Sequence, residues 1–194
     1  MTLSWHIVWT AYGWWFPNDP RGSWSREVWN PALQEFGVVQ QRGRRSVQPS
    51  SETLGSWLST AQQRLKYDVV TLDEKAREIV IAAITSQTRL HNYAIQALSV
   101  MREHVHLIMA KHPHPCEKVI NAFKSVSARH LRKYFGLAAS PATRNDRATG
   151  GAAKQTRAKR VPIWSRGYWV RYLTTNSAVS AAIAYVNEHS KKQS

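Results

Sequence analysis

The sequence predicts an α+β fold, a ferredoxin-like antiparallel sheet with helices on one face, plus a C-terminal helix that carries Tyr185. Three observations lead there. Four segments are rich in β-branched and aromatic residues, and two of them adjoin across the short polar pair Arg102-Glu103, as a hairpin does. Between them lie stretches with apolar residues at helical spacing. The resulting order, β, α, β, β, α, β, α, fits one layer of helices on one sheet. A chain of 194 residues with no internal repeat is expected to form a single domain.

The elements follow in order. Residues 3–12 read as a first strand. Pro17, Pro20, Gly22 and Pro31 then interrupt regular structure, so 17–66 reads as an irregular insertion with one short helix near 53–65. Asp73 can cap a helix whose first turn holds Glu74, and Ala76, Val80, Ala83, Ile84 and Gln87 carry it to about Leu90. Residues 93–101 and 104–110 make the hairpin. A second helix over 115–135 places Val119, Phe123, Val126 and Tyr134 on one face and Lys118, Arg129, Arg132 and Lys133 on the other, with Gly136 as its stop. A short strand over 168–173 and a last helix over 176–190 complete the order.

The charge is +15, from 27 Lys and Arg against 12 Asp and Glu. Such an excess points to a polyanion, nucleic acid before an anionic membrane. It is concentrated between 111 and 171, where the only acids are Glu117 and Asp146. Within that stretch, 136–163 is poor in large apolar residues and reads as a flexible basic loop, either a phosphate-backbone contact or a solvated linker that aids solubility. One cysteine, Cys116, excludes an internal disulfide and a four-cysteine zinc site, and fits a cytoplasmic protein. The longest apolar run, 79–84, is far short of the roughly 20 residues of a membrane span. The aromatic N-terminus reads as a strand rather than a signal peptide.

Two motifs carry chemistry. In His104-Val105-His106, strand alternation puts both imidazoles on one face, about 7 Å apart, while Val105, Leu107 and Met109 take the other. The apolar face packs on the helices, so the histidines lie on the open face, where they can converge on a metal or stay solvated. In Tyr185-Val186-Asn187-Glu188-His189, the i and i+4 residues lie on one helical stripe. They flank a buried stripe of Val179, Ile183 and Val186, beside small Ala178 and Ala182. The plainer reading is a core-margin tyrosine with an unrelated histidine.

Taken together, the motifs resemble the HUH single-tyrosine transposases, especially the REP-associated branch. The pieces are Trp9-Thr10-Ala11-Tyr12-Gly13, Asp19-Pro20-Arg21-Gly22, Glu103-His104-Val105-His106-Leu107-Ile108-Met109, Phe123-Lys124-Ser125, Ile163-Trp164-Ser165-Arg166-Gly167-Tyr168 and Tyr185-Val186-Asn187-Glu188-His189. They occur in the family order; the basic loop and much of 24–66 lie outside the match. The resemblance implies a divalent cation, Mg²⁺ or Mn²⁺, on His104 and His106, with Tyr185 as the nucleophile. The family's third ligand is often Gln; here the matching residue is His189, which leaves the metal's identity open. Lys124 and Arg166 match motif positions that can hold a phosphate. Arg129, Arg132 and Lys133 read either as a DNA-tracking face or as the solvated side of their helix.

The implied partner is single-stranded or hairpin DNA, in the cytoplasm at the nucleoid, and the family implies a homodimer with the tyrosine helix acting in cis or in trans. The implied reaction gives a 5′-phosphotyrosine and a free 3′-OH that permits rejoining without ATP. A phosphate-binding glycine loop is missing: Gly150-Gly151 lacks the Lys-Ser/Thr ending. Two other functions fit the same charge, a non-catalytic hairpin DNA- or RNA-binding protein and a metal-dependent phosphodiester hydrolase. Trp164 and Trp169 suit either a core or base stacking, His112-Pro113-His114 reads as exposed and non-catalytic, and Cys116 as inert.

Overall fold

The computed structural model describes residues 1–23, 27–28, 31–39, 49–137 and 160–191. Its elements are β1 (Ser4–Thr10), a short 3-10 turn (Pro31–Phe36), α1 (Ser51–Gln63), α2 (Glu74–His91), β2 (Ile95–Val100), β3 (His104–Ala110), α3 (Cys116–Tyr134), β4 (Trp169–Leu173) and α4 (Asn176–Lys191). The strands form one sheet in the order β2-β3-β1-β4, every neighbouring pair antiparallel. This is the predicted ferredoxin-like architecture.

The local signals act as the sequence suggests. The Asp73 carboxylate accepts from the Ala76 amide at 2.8 Å and caps α2, which ends on Asn92 in the left-handed region. Gly136, at φ 66, stops α3, and the Leu137 amide returns to the Arg132 carbonyl at 2.8 Å. The β2–β3 hairpin turns on Arg102-Glu103, with the Met101 amide donating to the His104 carbonyl.

One face of the sheet is fully apolar. Trp5, Ile7, Trp9 and Ala11 from β1 and its extension join Val105, Leu107 and Met109 from β3. Against them lie Val80 and Ile84 of α2 and Val119, Ile120, Phe123 and Leu131 of α3. The buried stripe of α3 thus departs from the prediction at one end. Tyr134 is exposed and its hydroxyl donates to Asp73 at 3.0 Å, because the stripe continues through Ala128 and Leu131 and turns Tyr134 outward.

The other face is not open, as the alternation alone suggested. Ala97, Ile108 and Leu173 leave an apolar patch on it, and Val179 and Val186 of α4 cover that patch, with Ala178, Ala182 and Ile183 at its margin. The helix lies on the sheet of its own chain. The insertion also has more order than its prolines suggest. Phe16, Leu33 and Ala61 are buried together beneath Phe36, Trp57, Leu58 and Leu65, a small satellite core. Asp19 is buried and held by Arg21, whose Nε and Nη2 donate to its two carboxylate oxygens at 2.8 and 2.7 Å, so that part of the Asp-Pro-Arg-Gly motif is satisfied within itself. The predicted basic loop falls largely on 138–159, outside the described residues.

Candidate active site

Strand pairing assembles a histidine cluster from distant parts of the chain. The register sets Val8 opposite His106 and Thr10 opposite His104, so the even-numbered residues of β1 share a face with the His-Val-His pair. His6 is therefore beside His106, and Nε2 of His6 lies 3.1 Å from Nδ1 of His106, a hydrogen bond in which one ring must donate. The His104 and His106 ring centres are 4.8 Å apart.

Docking of α4 adds the tyrosine. The Tyr185 ring centre is 5.7 Å from that of His106, 6.2 Å from that of His6 and 4.3 Å from that of His189. His189 in turn lies 5.6 Å from His106. Helical periodicity explains the placement: Val186 is wholly buried and holds the helix down, while Tyr185, one residue earlier, sits at the margin and stays 48% exposed. The nucleophile candidate is thus within ring contact of the histidines yet open to solvent.

The electrostatics keep the buried rings neutral. Burial lowers the His106 pKa to about 3, helped by the nearby His104, His6 and His189. Burial, then the Arg171 charge, lowers that of His6 to about 4. His104 is anchored from outside, its Nδ1 lying 3.3 Å from the Glu103 carboxylate, and that hydrogen bond holds the Glu103 carboxyl below its usual range. Neutral imidazoles, such as those of His6 and His106, are the chemical form that binds metals. The spacing is less complete than the chemistry: among the described residues no three His, Cys, Asp or Glu side chains are grouped as a metal site. His104 and His106 suit an ion as a pair, and His189 is placed against His106 without closing the set.

The basic candidates separate into two groups. Arg129 and Lys133 are exposed on α3, and Arg132 there gives its Nε to the Val161 carbonyl at 3.1 Å. These line or adjoin a cleft of about 410 Å³, with Lys124, Arg160 and Trp164 among its walls. It lies with α3 on the side of the sheet away from Tyr185. Lys124 itself is occupied: its ammonium donates to the carbonyls of Ser165, Arg166 and Gly167 at 2.6, 3.2 and 3.1 Å, and burial lowers its pKa to about 8. Lys124 therefore pins the turn that leads into β4. Arg166 is exposed in that turn. The adjacent Ser165 hydroxyl accepts from Thr10 at 3.0 Å, beside the His104 end of β1.

The two tryptophans left open resolve differently. Trp164 is core, 7% exposed, packed edge-on to Trp9 and bonded through Nε1 to Ser127. Trp169 is half-buried on the site side, edge-on to His6 at 5.2 Å. His112 and His114 are half-buried rather than exposed, gathered with His91 around Tyr93, whose hydroxyl lies 3.1 Å from His114 Nδ1. Burial raises the Cys116 thiol to about 11, which leaves it unreactive. Sequence reasoning missed His6. Its signal was the alternation Ser4, His6, Val8, Thr10 against Trp5, Ile7, Trp9, but only strand register brings it to His106.

Residues 63–147 match the family model described as "Transposase IS200 like". In that segment the chain is similar to the IS200-like transposase family. The matched segment holds the His-Val-His strand and the basic helix α3; Tyr185 and His189 lie beyond it. Two solved structures are similar to this chain. One is a candidate transposase from Deinococcus radiodurans R1, at 14% identity and TM-score 0.40, covering 98% of this chain and 92% of that one. The other is a REP-associated tyrosine transposase bound to a REP hairpin, at 12% identity and TM-score 0.45, covering 99% and 69%. No curated protein matches the chain.

Proposed function

We propose that the protein is a DNA nickase and strand transferase in which Tyr185 attacks a phosphodiester of single-stranded or hairpin DNA. The observation that carries this is the packing of the half-exposed Tyr185 ring against His106 and His189, on the sheet face that holds His104. The Tyr185 oxygen forms a bond to phosphorus, the bond from phosphorus to the 3′ oxygen breaks, and the products are a 5′-phosphotyrosine and a 3′-OH. Attack by a second 3′-OH reverses the step on another strand. The phenolic proton must leave as the new bond forms, and solvent at the half-exposed ring can take it.

His104 and His106 are the proposed ligands of a divalent cation, Mg²⁺ or Mn²⁺, with His189 the proposed third. When bound, such an ion polarises the scissile phosphate and stabilises the leaving oxygen. For His106 to present a lone pair at Nε2, its proton must sit on Nδ1, and it then donates to Nε2 of His6. His6 is in this reading a positioning residue that selects the tautomer. Arg129, Arg132 and Lys133 on α3, and Arg166 in the turn before β4, are the proposed DNA backbone contacts, with Lys124 acting through the turn it holds. The docking of α4 on its own sheet supports action in cis by each protomer of the proposed homodimer. The proposed setting is the cytoplasm, at the nucleoid; no helix among the described residues is long and apolar enough to cross a membrane.

The test is to incubate the protein with labelled hairpin DNA and Mn²⁺ and look for a denaturation-resistant protein–DNA adduct. Wild type should give one and Tyr185→Phe none. Salt-sensitive binding without any adduct would instead favour a hairpin-binding protein, the reading that the unclosed histidine set supports. A free 5′-phosphate with no protein link would favour a hydrolase.

A further inference from the structure

We propose that Trp169 and Arg171 of β4 form a subsite for one unpaired nucleotide of the strand that Tyr185 attacks, the base stacking on the indole and a neighbouring phosphate meeting the guanidinium. This rests on the strand-transfer reading of the Tyr185 site. The register places Trp169 opposite Val8, Arg171 opposite His6 and Leu173 opposite Ser4, so all three face the same side as the histidine cluster. Leu173 is consumed by the contact with α4. Trp169 and Arg171 are not: the indole is half-buried, nearly perpendicular to the His6 ring with centres 5.2 Å apart, and Arg171 is exposed. Among the described residues no ion pair engages Arg171, although its charge is felt at His6.

The position of the strand adds to this. β4 is an edge of the sheet, so a ligand can approach its outer side without meeting another strand. Two residues apart on one strand face, an aromatic plane and a guanidinium are spaced to take the base and phosphate of one extended nucleotide. Aromatic stacking is tolerant of base identity, and an arginine holds phosphate with a forked set of donors. The contrast with Trp164 is instructive, since that indole is buried with its nitrogen satisfied and has no face to offer.

The experiment measures binding of fluorescein-labelled single-stranded oligonucleotides by anisotropy, on the Tyr185→Phe protein so that cleavage does not intervene. Trp169→Leu, which keeps apolar bulk but no aromatic face, should weaken binding about tenfold, whereas Trp169→Phe keeps most of it. An abasic site scanned along the oligonucleotide should find one position where the Trp169→Leu cost disappears. Arg171→Gln should weaken all sequences alike and reduce the salt slope by about one. The inference is overturned if Trp169→Leu, melting as the parent does, binds like Trp169→Phe, or if no abasic position removes its cost. Adduct formation by wild type with binding indifferent to Trp169 refutes the subsite alone. Trp169-dependent binding with no adduct refutes strand transfer and leaves the subsite standing.

Discussion

The two faces of the sheet are made by the same strands and do opposite work. Toward α2 and α3, Ile7, Val105, Leu107 and Met109 are fully buried and meet a continuous apolar layer. Toward α4, the alternate residues His6, His104 and His106 sit among a few apolar anchors, Ile108, Leu173 and Val186. Strand alternation separates stability from chemistry at single-residue resolution. A ring of histidines can be half desolvated on one face because the other face already holds the fold together.

That division can be broken from either side. The largest expected effect is on chemistry alone: Tyr185→Phe should abolish the adduct while shifting unfolding free energy by no more than about 0.5 kcal/mol, since the ring stays and the position is exposed. The next is its mirror image. Phe123→Ala empties the centre of the α3 contact and should cost about 3–5 kcal/mol in denaturant unfolding, with adduct per folded molecule preserved. A smaller and local effect is expected of Val186→Ala, which removes two methyl groups from the α4 contact, about 1.5 kcal/mol by burial. Hydrogen exchange should then speed up in α4 before the central strands, and adduct yield should fall with it. If α4 and β3 exchange together in that variant, the two faces are one cooperative unit and the comparison fails.

The smallest effect concerns Lys124, which bridges the regions by holding the turn into β4. Its folded pKa is about 8, below its ordinary value near 10.5, so between those values the unfolded chain binds more protons than the folded one. The contribution of this group to stability therefore rises with pH across that window. The denaturant midpoint of wild type, relative to Lys124→Met, should increase between pH 7.5 and pH 10; a flat or falling difference would show that the amine is not desolvated as the structure has it.

Much of this was legible beforehand, for reasons that lie in local physics. The caps at Asp73 and Gly136, the two-residue hairpin turn and the opposite faces of Val105 and His106 depend on neighbours within a few residues. So does the stripe of Val179 and Val186 that sets Tyr185 at the margin of α4. Tyr134 failed for a related reason: a three-to-four spacing leaves the exact edge of a stripe undetermined, and packing against α2 and the sheet settled it. The basic residues were legible as charge but not as roles, since three carbonyls far along the chain turn Lys124 from a phosphate candidate into a clamp.

What the chain alone determined, then, is its list of elements and which residues within each share a side, because periods of 2 and 3.6 are local properties. Tertiary structure decided which sides meet. It brought His6 to His106 across 100 positions, laid α4 on the histidine face, and sent Trp164 to the core and Trp169 to the site. Those outcomes depend on strand register and on the burial of a small apolar patch, both set by contacts between distant segments that no local pattern encodes.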